Sequence, residues 1–204
     1  CQSFTQAPLR PGEQSLDLVS INAHKLHGPR GVGALYVRDG VTLEALLHGG
    51  GQEHNRRSGT YHSDGIAGFG AAVAAWDPGD AARVRALSTG FLDRLTREID
   101  GIRLHGPREG RLPNIVNVGF AGVDGKTLFN RLNRRGVIVS TGSACVSTKK
   151  TASRVLLAMG LSEAQAHEAL RFSLSRDTTR GELDAVVEHL KELVQSARKK
   201  AARP

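Results

Sequence analysis

The sequence predicts an α/β fold in two parts, and three observations carry that prediction. Short apolar runs of strand length alternate with longer segments whose apolar residues recur at helical spacing. A polar, basic, glycine-rich loop at residues 48–60 separates the first strands from the first helix. From residue 100 onward strand-like and helical stretches intermix, and the chain closes on a long helix. With 204 residues there is ample length to bury a core, in one large domain or two small ones.

The elements follow in order. Cys1-Gln2-Ser3-Phe4-Thr5-Gln6 lacks an initiator methionine and reads as the exit from a strand, so the expectation is a chain that begins inside a domain. Residues 16–21 form an apolar strand, expected to be buried, and residues 33–37 form another, closed by the turn Arg38-Asp39-Gly40. Residues 41–47 are apolar without a clear period. Residues 64–76, rich in Ala and Gly, have helical period, and their small side chains point to tight packing against a sheet or another subunit.

Pro78-Gly79-Asp80 breaks that pattern, and residues 81–99 resume it as an amphipathic helix carrying Val84, Leu87, Phe91, Leu92, Leu95 and Ile99. Strands are expected at 102–104, 114–120 and 137–140, with a helix at 125–135. Ser162 caps a helix start, residues 171–175 make a short strand, and Asp177-Thr178-Thr179 turns into and caps the terminal helix. The expected division is a first part at 1–77, a bridging helix at 78–99 and an α+β part at 100–204.

Composition excludes several functions. Hydrophobic content of 39% and charged content of 24% are ordinary for a soluble globular protein. No run approaches the ~18 apolar residues of a membrane span, and no basic-then-apolar leader opens the chain, so the reading is a cytoplasmic protein without a membrane partner. Cys1 and Cys145 are too few for a disulfide framework and lack zinc spacing; they read as free thiols in a reducing compartment, with no metal site. The net charge of +8 invites nucleic acid, but only 4% of residues are aromatic and no RNA-binding or zinc-finger signature is present. Arginines interspersed with acids and the tail Arg198, Lys199, Lys200 and Arg203 describe a solvated basic surface. Docking of an acidic protein partner stays open.

Three residues are candidates for chemistry. Lys25 stands where an apolar strand gives way to a glycine-rich turn; desolvated there, its amine would be a nucleophile able to form a Schiff base, and solvated it is a turn lysine. Cys145, in Thr141-Gly142-Ser143-Ala144-Cys145-Val146-Ser147-Thr148-Lys149-Lys150, follows an apolar run and precedes two lysines that favour a thiolate; the alternative is an inert buried thiol. Arg171 opens a short strand, with its stem expected buried and its fork free for a carboxylate or held in a structural ion pair.

Together these residues resemble a known pattern. Ala23-His24-Lys25-Leu26-His27-Gly28 is similar to the cofactor-lysine motif of the pyridoxal-phosphate-dependent cysteine desulfurases. In the same order as in that family come His48-Gly-Gly-Gly-Gln-Glu, Arg57-Ser-Gly-Thr60, Arg111-Leu-Pro-Asn114, Gly142-Ser-Ala-Cys145 with Ser147, and Arg171-Phe-Ser-Leu-Ser-Arg176. The resemblance implies a fold type I transferase, here the C-terminal part of the large domain followed by the small domain. It implies pyridoxal 5'-phosphate held by Lys25, with His24 at the phosphate, Gln2 at the ring hydroxyl, and Thr60 reaching the cofactor phosphate of the neighbouring subunit in a homodimer. Arg171 would bind the carboxylate of L-cysteine and Cys145 would take its sulfur as a persulfide for a protein acceptor, on a loop that has to be mobile. Asn22 replaces a serine that often helps hold the phosphate, and Ala152 a proline after the cysteine loop. The family's phosphate-binding turn, ring-stacking histidine and pyridinium-pairing aspartate would lie before Cys1. Other readings are a selenocysteine lyase or related lyase on this scaffold, and a non-catalytic sulfur-relay or nucleic-acid-associated scaffold.

Overall fold

Apolar side chains at helical spacing in two long helices meet across a small sheet to make the larger core. The computed structural model describes residues 1–141 and 152–201. Their contacts divide the chain into two units, Cys1–Pro78 and Gly79–Pro204.

In the first unit, β1 (Leu18–Asn22) and β2 (Gly33–Val37) pair antiparallel, with Leu18 opposite Val37 and Asn22 opposite Gly33. The expectation of a buried strand fails here. Leu18 is 45% exposed and Leu35 52%; among the described residues β1 and β2 form a sheet of two strands, with Ile21 packed on the turn's apolar cluster. A 3-10 turn (Ala23–Leu26) joins the strands, and helix α1 (Ser63–Ala74) packs on it through Phe69. The small residues of α1 serve this contact. A Cβ on Gly68 would lie 2.8 Å from Pro29 Cγ, so the helix can approach the turn only with glycine there. Residues 41–45 take no regular structure, and Leu46 is 88% exposed.

In the second unit, the antiparallel sheet runs β3 (Ile102–Leu104), β4 (Ile115–Phe120), β5 (Ala169–Ser173) in that order. Helices α2 (Pro78–Glu98), α3 (Gly125–Asn133) and α6 (Arg180–Ala201) contribute to one buried core with it. Val116, Val118 and Phe120 of β4 meet Phe91, Leu92 and Leu95 of α2 and Val187, Leu190 and Val194 of α6. Two short helices, α4 (Arg154–Ala158) and α5 (Glu163–His167), sit on a satellite cluster of Leu156, Ala166 and Ala169.

Several boundaries move. Pro78 opens α2 rather than breaking the pattern, since proline lacks only an N–H that the first turn leaves unpaired anyway. The strand around Arg171 starts two residues earlier than expected, at Ala169. The strand expected at 137–140 reduces to a single bridge, Ser140 opposite Arg171. The caps behave as the sequence suggests. Ser162 and Gln165 form a reciprocal capping box, and Thr179 and Glu182 exchange bonds in the same way at the start of α6.

Charge clamps α2 to α6. The Arg94 guanidinium donates to Glu98 (2.9 Å), Asp184 (2.6 Å) and Glu188 (2.8 Å), and Lys191 Nζ donates to Glu98 at 3.1 Å. The bonds from Arg94 and then Lys191 hold the Glu98 carboxyl down at about 2, from its ordinary 4.5. A depressed carboxyl stabilises the fold fully above its unfolded value and loses that contribution as pH falls toward its folded one. Acid titration of the melting temperature should therefore show a loss between about pH 4.5 and 2 that is shallower in Glu98→Gln. Leu190→Ala, at a fully buried position, should cost about 2–5 kcal/mol in denaturant unfolding of the second unit.

Candidate active-site elements

The turn that carries Lys25 is shaped by which of its residues can be buried. In a four-residue 3-10 turn the first and last side chains share a face. Here these are Ala23 and Leu26, at 0% and 6% exposure, and they pack with Phe69. His24 and Lys25 are turned to the other side and are exposed. Lys25 is thus not the desolvated amine that the strand-to-glycine pattern suggests, because the two inward places are taken by apolar neighbours. The turn is locked from behind. His27 closes it in the left-handed region at φ +64°, Gly28 N donates to Ala23 O at 3.0 Å, and Ala23 N donates to Val32 O at 3.2 Å. A Cβ on Gly28 would stand 2.9 Å from Ala23 Cβ and 3.0 Å from Ala72 Cβ.

Asn22, at the end of β1, is half-buried, and its Oδ1 is buried without a hydrogen-bond partner. Asn22 Oδ1 can only accept a hydrogen bond, so it is the Asn22 amide N–H that would count toward an anion, and leaving the oxygen buried and unpaired costs free energy. Gln2 is exposed in the turn 2–6, and Cys1 Sγ donates to Ser20 O at 3.1 Å, so the segment bearing Gln2 runs beside β1. An amine, an imidazole and two amides form a donor set suited to an anionic, phosphate-bearing aldehyde.

Thr60 is exposed at the end of the glycine-rich loop, which side chains hold in place. Ser58 N donates to Leu47 O at 3.0 Å, Gly59 N to Gln52 Oε1 at 3.0 Å and Gly51 N to Ser58 Oγ at 3.4 Å. Ser58 is 7% exposed, and sequence reading did not single it or Gln52 out for this role. The available signal was a serine and a glutamine at the two ends of a loop rich in glycine, where side chains must supply the bonds that a strand would.

In the second unit, Arg171 sits in the middle of β5. Strand alternation sends Leu170 and Phe172 into the core, so Arg171 faces the other way and is exposed. Asn117 lies opposite it on β4, with Oδ1 2.8 Å from His105 Nδ1. The row His105, Asn117, Arg171 on one sheet face was missed in the sequence, although polar residues at alternate positions of an apolar strand announce such a face. On the other edge of β5, Arg171 N donates to Ser140 O at 2.7 Å and Ser140 N to Arg171 O at 3.1 Å. Cys145, with Gly142, Ser143, Ser147, Lys149 and Lys150, lies outside the described residues. The structure thus groups Gln2, Asn22, His24 and Lys25 around β1, places Thr60 on its loop, and holds Arg171 next to the chain that leads toward Cys145.

Residues 1–186 match the aminotransferase class-V family. The chain belongs to that family. A cysteine desulfurase IscS of Dictyoglomus turgidum is 39% identical over 201 residues, covering 97% of this chain and 51% of its own length. A solved NifS-like protein superposes with a TM-score of 0.83 at 34% identity, over 95% of this chain and 50% of its own. A structure described as SspA in complex with cysteine gives a TM-score of 0.68 at 32% identity, over 87% of this chain and 49% of its own. The chain spans about half the length of the curated relatives it matches. The fold is accordingly that of the fold type I enzymes that use pyridoxal 5'-phosphate, as the class-V resemblance implies.

Gly28→Ala tests the platform beneath Lys25. The added methyl should destabilise the first unit by about 1–3 kcal/mol. Hydrogen exchange should rise across 18–37 while that of the second unit stays unchanged.

Proposed function

We propose that the protein carrying this chain is a cysteine desulfurase, which converts L-cysteine to L-alanine and retains the sulfur as a persulfide on Cys145. The observation that supports the reading is the backbone pairing of Arg171, the proposed carboxylate ligand, with Ser140, which stands five residues before Cys145 in the sequence, at 2.7 and 3.1 Å. Homology to cysteine desulfurases over 97% of the chain supports the same reading. On this view residues 1–77 belong to the large cofactor domain, 78–99 connect, and 100–204 form the small domain, in a homodimer acting in the reducing cytoplasm.

The residues divide the work. Lys25, exposed on its turn, would hold the cofactor through its aldehyde; His24, Asn22 and Gln2 would orient it, and Thr60 would serve the partner subunit's site. Bound pyridoxal phosphate supplies an electron sink that makes the α-proton of an amino acid acidic and its β-substituent labile. Lys25 Nζ takes that proton from the substrate and returns one. Arg171 fixes the substrate carboxylate through its fork. The Cys145 thiolate attacks the substrate sulfur: an S–S bond forms, the C–S bond breaks, and its electron pair stays on the β-carbon, which takes a proton as alanine leaves. The persulfide then passes to a protein acceptor.

Variants separate these roles. Lys25→Ala should abolish both the yellow absorbance of bound cofactor and alanine formation. Cys145→Ser should keep the colour and lose persulfide formation. Arg171→Ala should raise KM for cysteine roughly 10- to 100-fold, as expected for the loss of a charge-assisted pair. Sulfur release undiminished in Cys145→Ala would sink the desulfurase reading in favour of a lyase.

A further inference from the structure

Three arginines converge on one cavity of the second unit. The cavity, about 390 Å³, opens between α2 and the loop from β3 to β4, and its lining includes Arg85, Ser88 and Thr89 from the helix and Arg108, Glu109 and Arg111 from the loop. None of these residues has a part in the chemistry described above.

Arg111 is the anchor. Its Nη1 donates to Ile115 O at 2.6 Å and its Nη2 to Ser88 Oγ at 2.8 Å, which staples the loop to α2. Its Nε is buried and has no acceptor among the described residues. Burial first, and then the charges of Arg85 and Arg108, push the Arg111 guanidinium below its ordinary value. Arg108 pairs with Asp93, and Glu109 supplies one carboxylate on the rim, which leaves at least one of three positive charges unmatched. Arg85 is exposed and has no ion pair among the described residues.

We infer that this cavity binds a small phosphate monoester, its phosphate taken by Arg85, Arg108 and the free Nε of Arg111, with hydroxyl help from Thr89. Guanidinium groups arriving from a helix and a loop suit a tetrahedral dianion with several acceptor oxygens better than a planar carboxylate. The volume stands at the lower end of small-molecule pockets, roughly 300–1,000 Å³, which leaves room for a short organic group beside the phosphate.

Calorimetric titration of the full-length, cofactor-loaded protein that carries this chain, with ribose 5-phosphate, inorganic phosphate and succinate, tests this, the loaded cofactor keeping its own phosphate site occupied. Saturable binding of the sugar phosphate is expected, weaker binding of inorganic phosphate and none of succinate. Arg85→Ala should weaken the sugar phosphate about tenfold, the loss of one charge-assisted bond. Alanine at an exposed helix position keeps the fold, and a circular dichroism melt checks that it does. Arg97→Ala, on the same helix and outside the cavity, should change nothing. The inference is overturned if neither phosphate compound binds, if inorganic phosphate alone binds, if succinate binds equally well, or if Arg85→Ala and Arg108→Ala both leave affinity unchanged.

Discussion

The edge-to-face contact of Phe172 with Phe91, ring centres 5.1 Å apart, decides which way β5 faces, and much of the second unit depends on it. With Phe172 and Leu170 inside, Arg171 is driven to the opposite face, into a row with Asn117 and His105. A one-residue slip of β5 would bury a guanidinium and expose an aromatic ring, so the register is strongly held. The same strand offers its other edge to Ser140.

The first unit solves a different problem. In the proposed role Lys25 would have to be reachable and yet firmly placed, and the turn separates those two demands by residue. Ala23 and Leu26 anchor the turn, Gly28 and Gly68 let α1 close on it, and His24 and Lys25 are left outward. The placement comes from backbone packing behind the lysine, and the amine itself stays in contact with solvent. That arrangement suits a group that has to meet an aldehyde from outside.

Arginine appears in the second unit in two physical roles. Arg94 is surrounded by Glu98, Asp184 and Glu188 and ties two helices together. Arg111 is held by a carbonyl and a hydroxyl near two further arginines, with a deficit of carboxylates around it. The first cluster is satisfied within the chain, and the second has the surplus charge of a binding site. A net charge of +8 spread along the sequence does not distinguish them, because the difference lies in which acids fold into contact.

The sequence by itself determined the order of the elements and the family to which the chain belongs. Residues 33–37 are a strand as the apolar run requires, the terminal helix starts at its threonine cap, and the motifs around Lys25 and Arg171 point to one enzyme family. These features are local, and local spacing is sufficient to read them. Burial and partnership were decided only by tertiary structure. The sequence left Lys25 open between a desolvated amine and a solvated turn lysine, and the fold exposes it, since Ala23 and Leu26 occupy the inward positions. The stapling of the glycine-rich loop by Ser58 and Gln52, the pairing of Asn117 with His105 and the gathering of Arg85, Arg108 and Arg111 join residues that become neighbours only when the chain folds. Contacts of that kind have no period, which is why the structure was needed to see them.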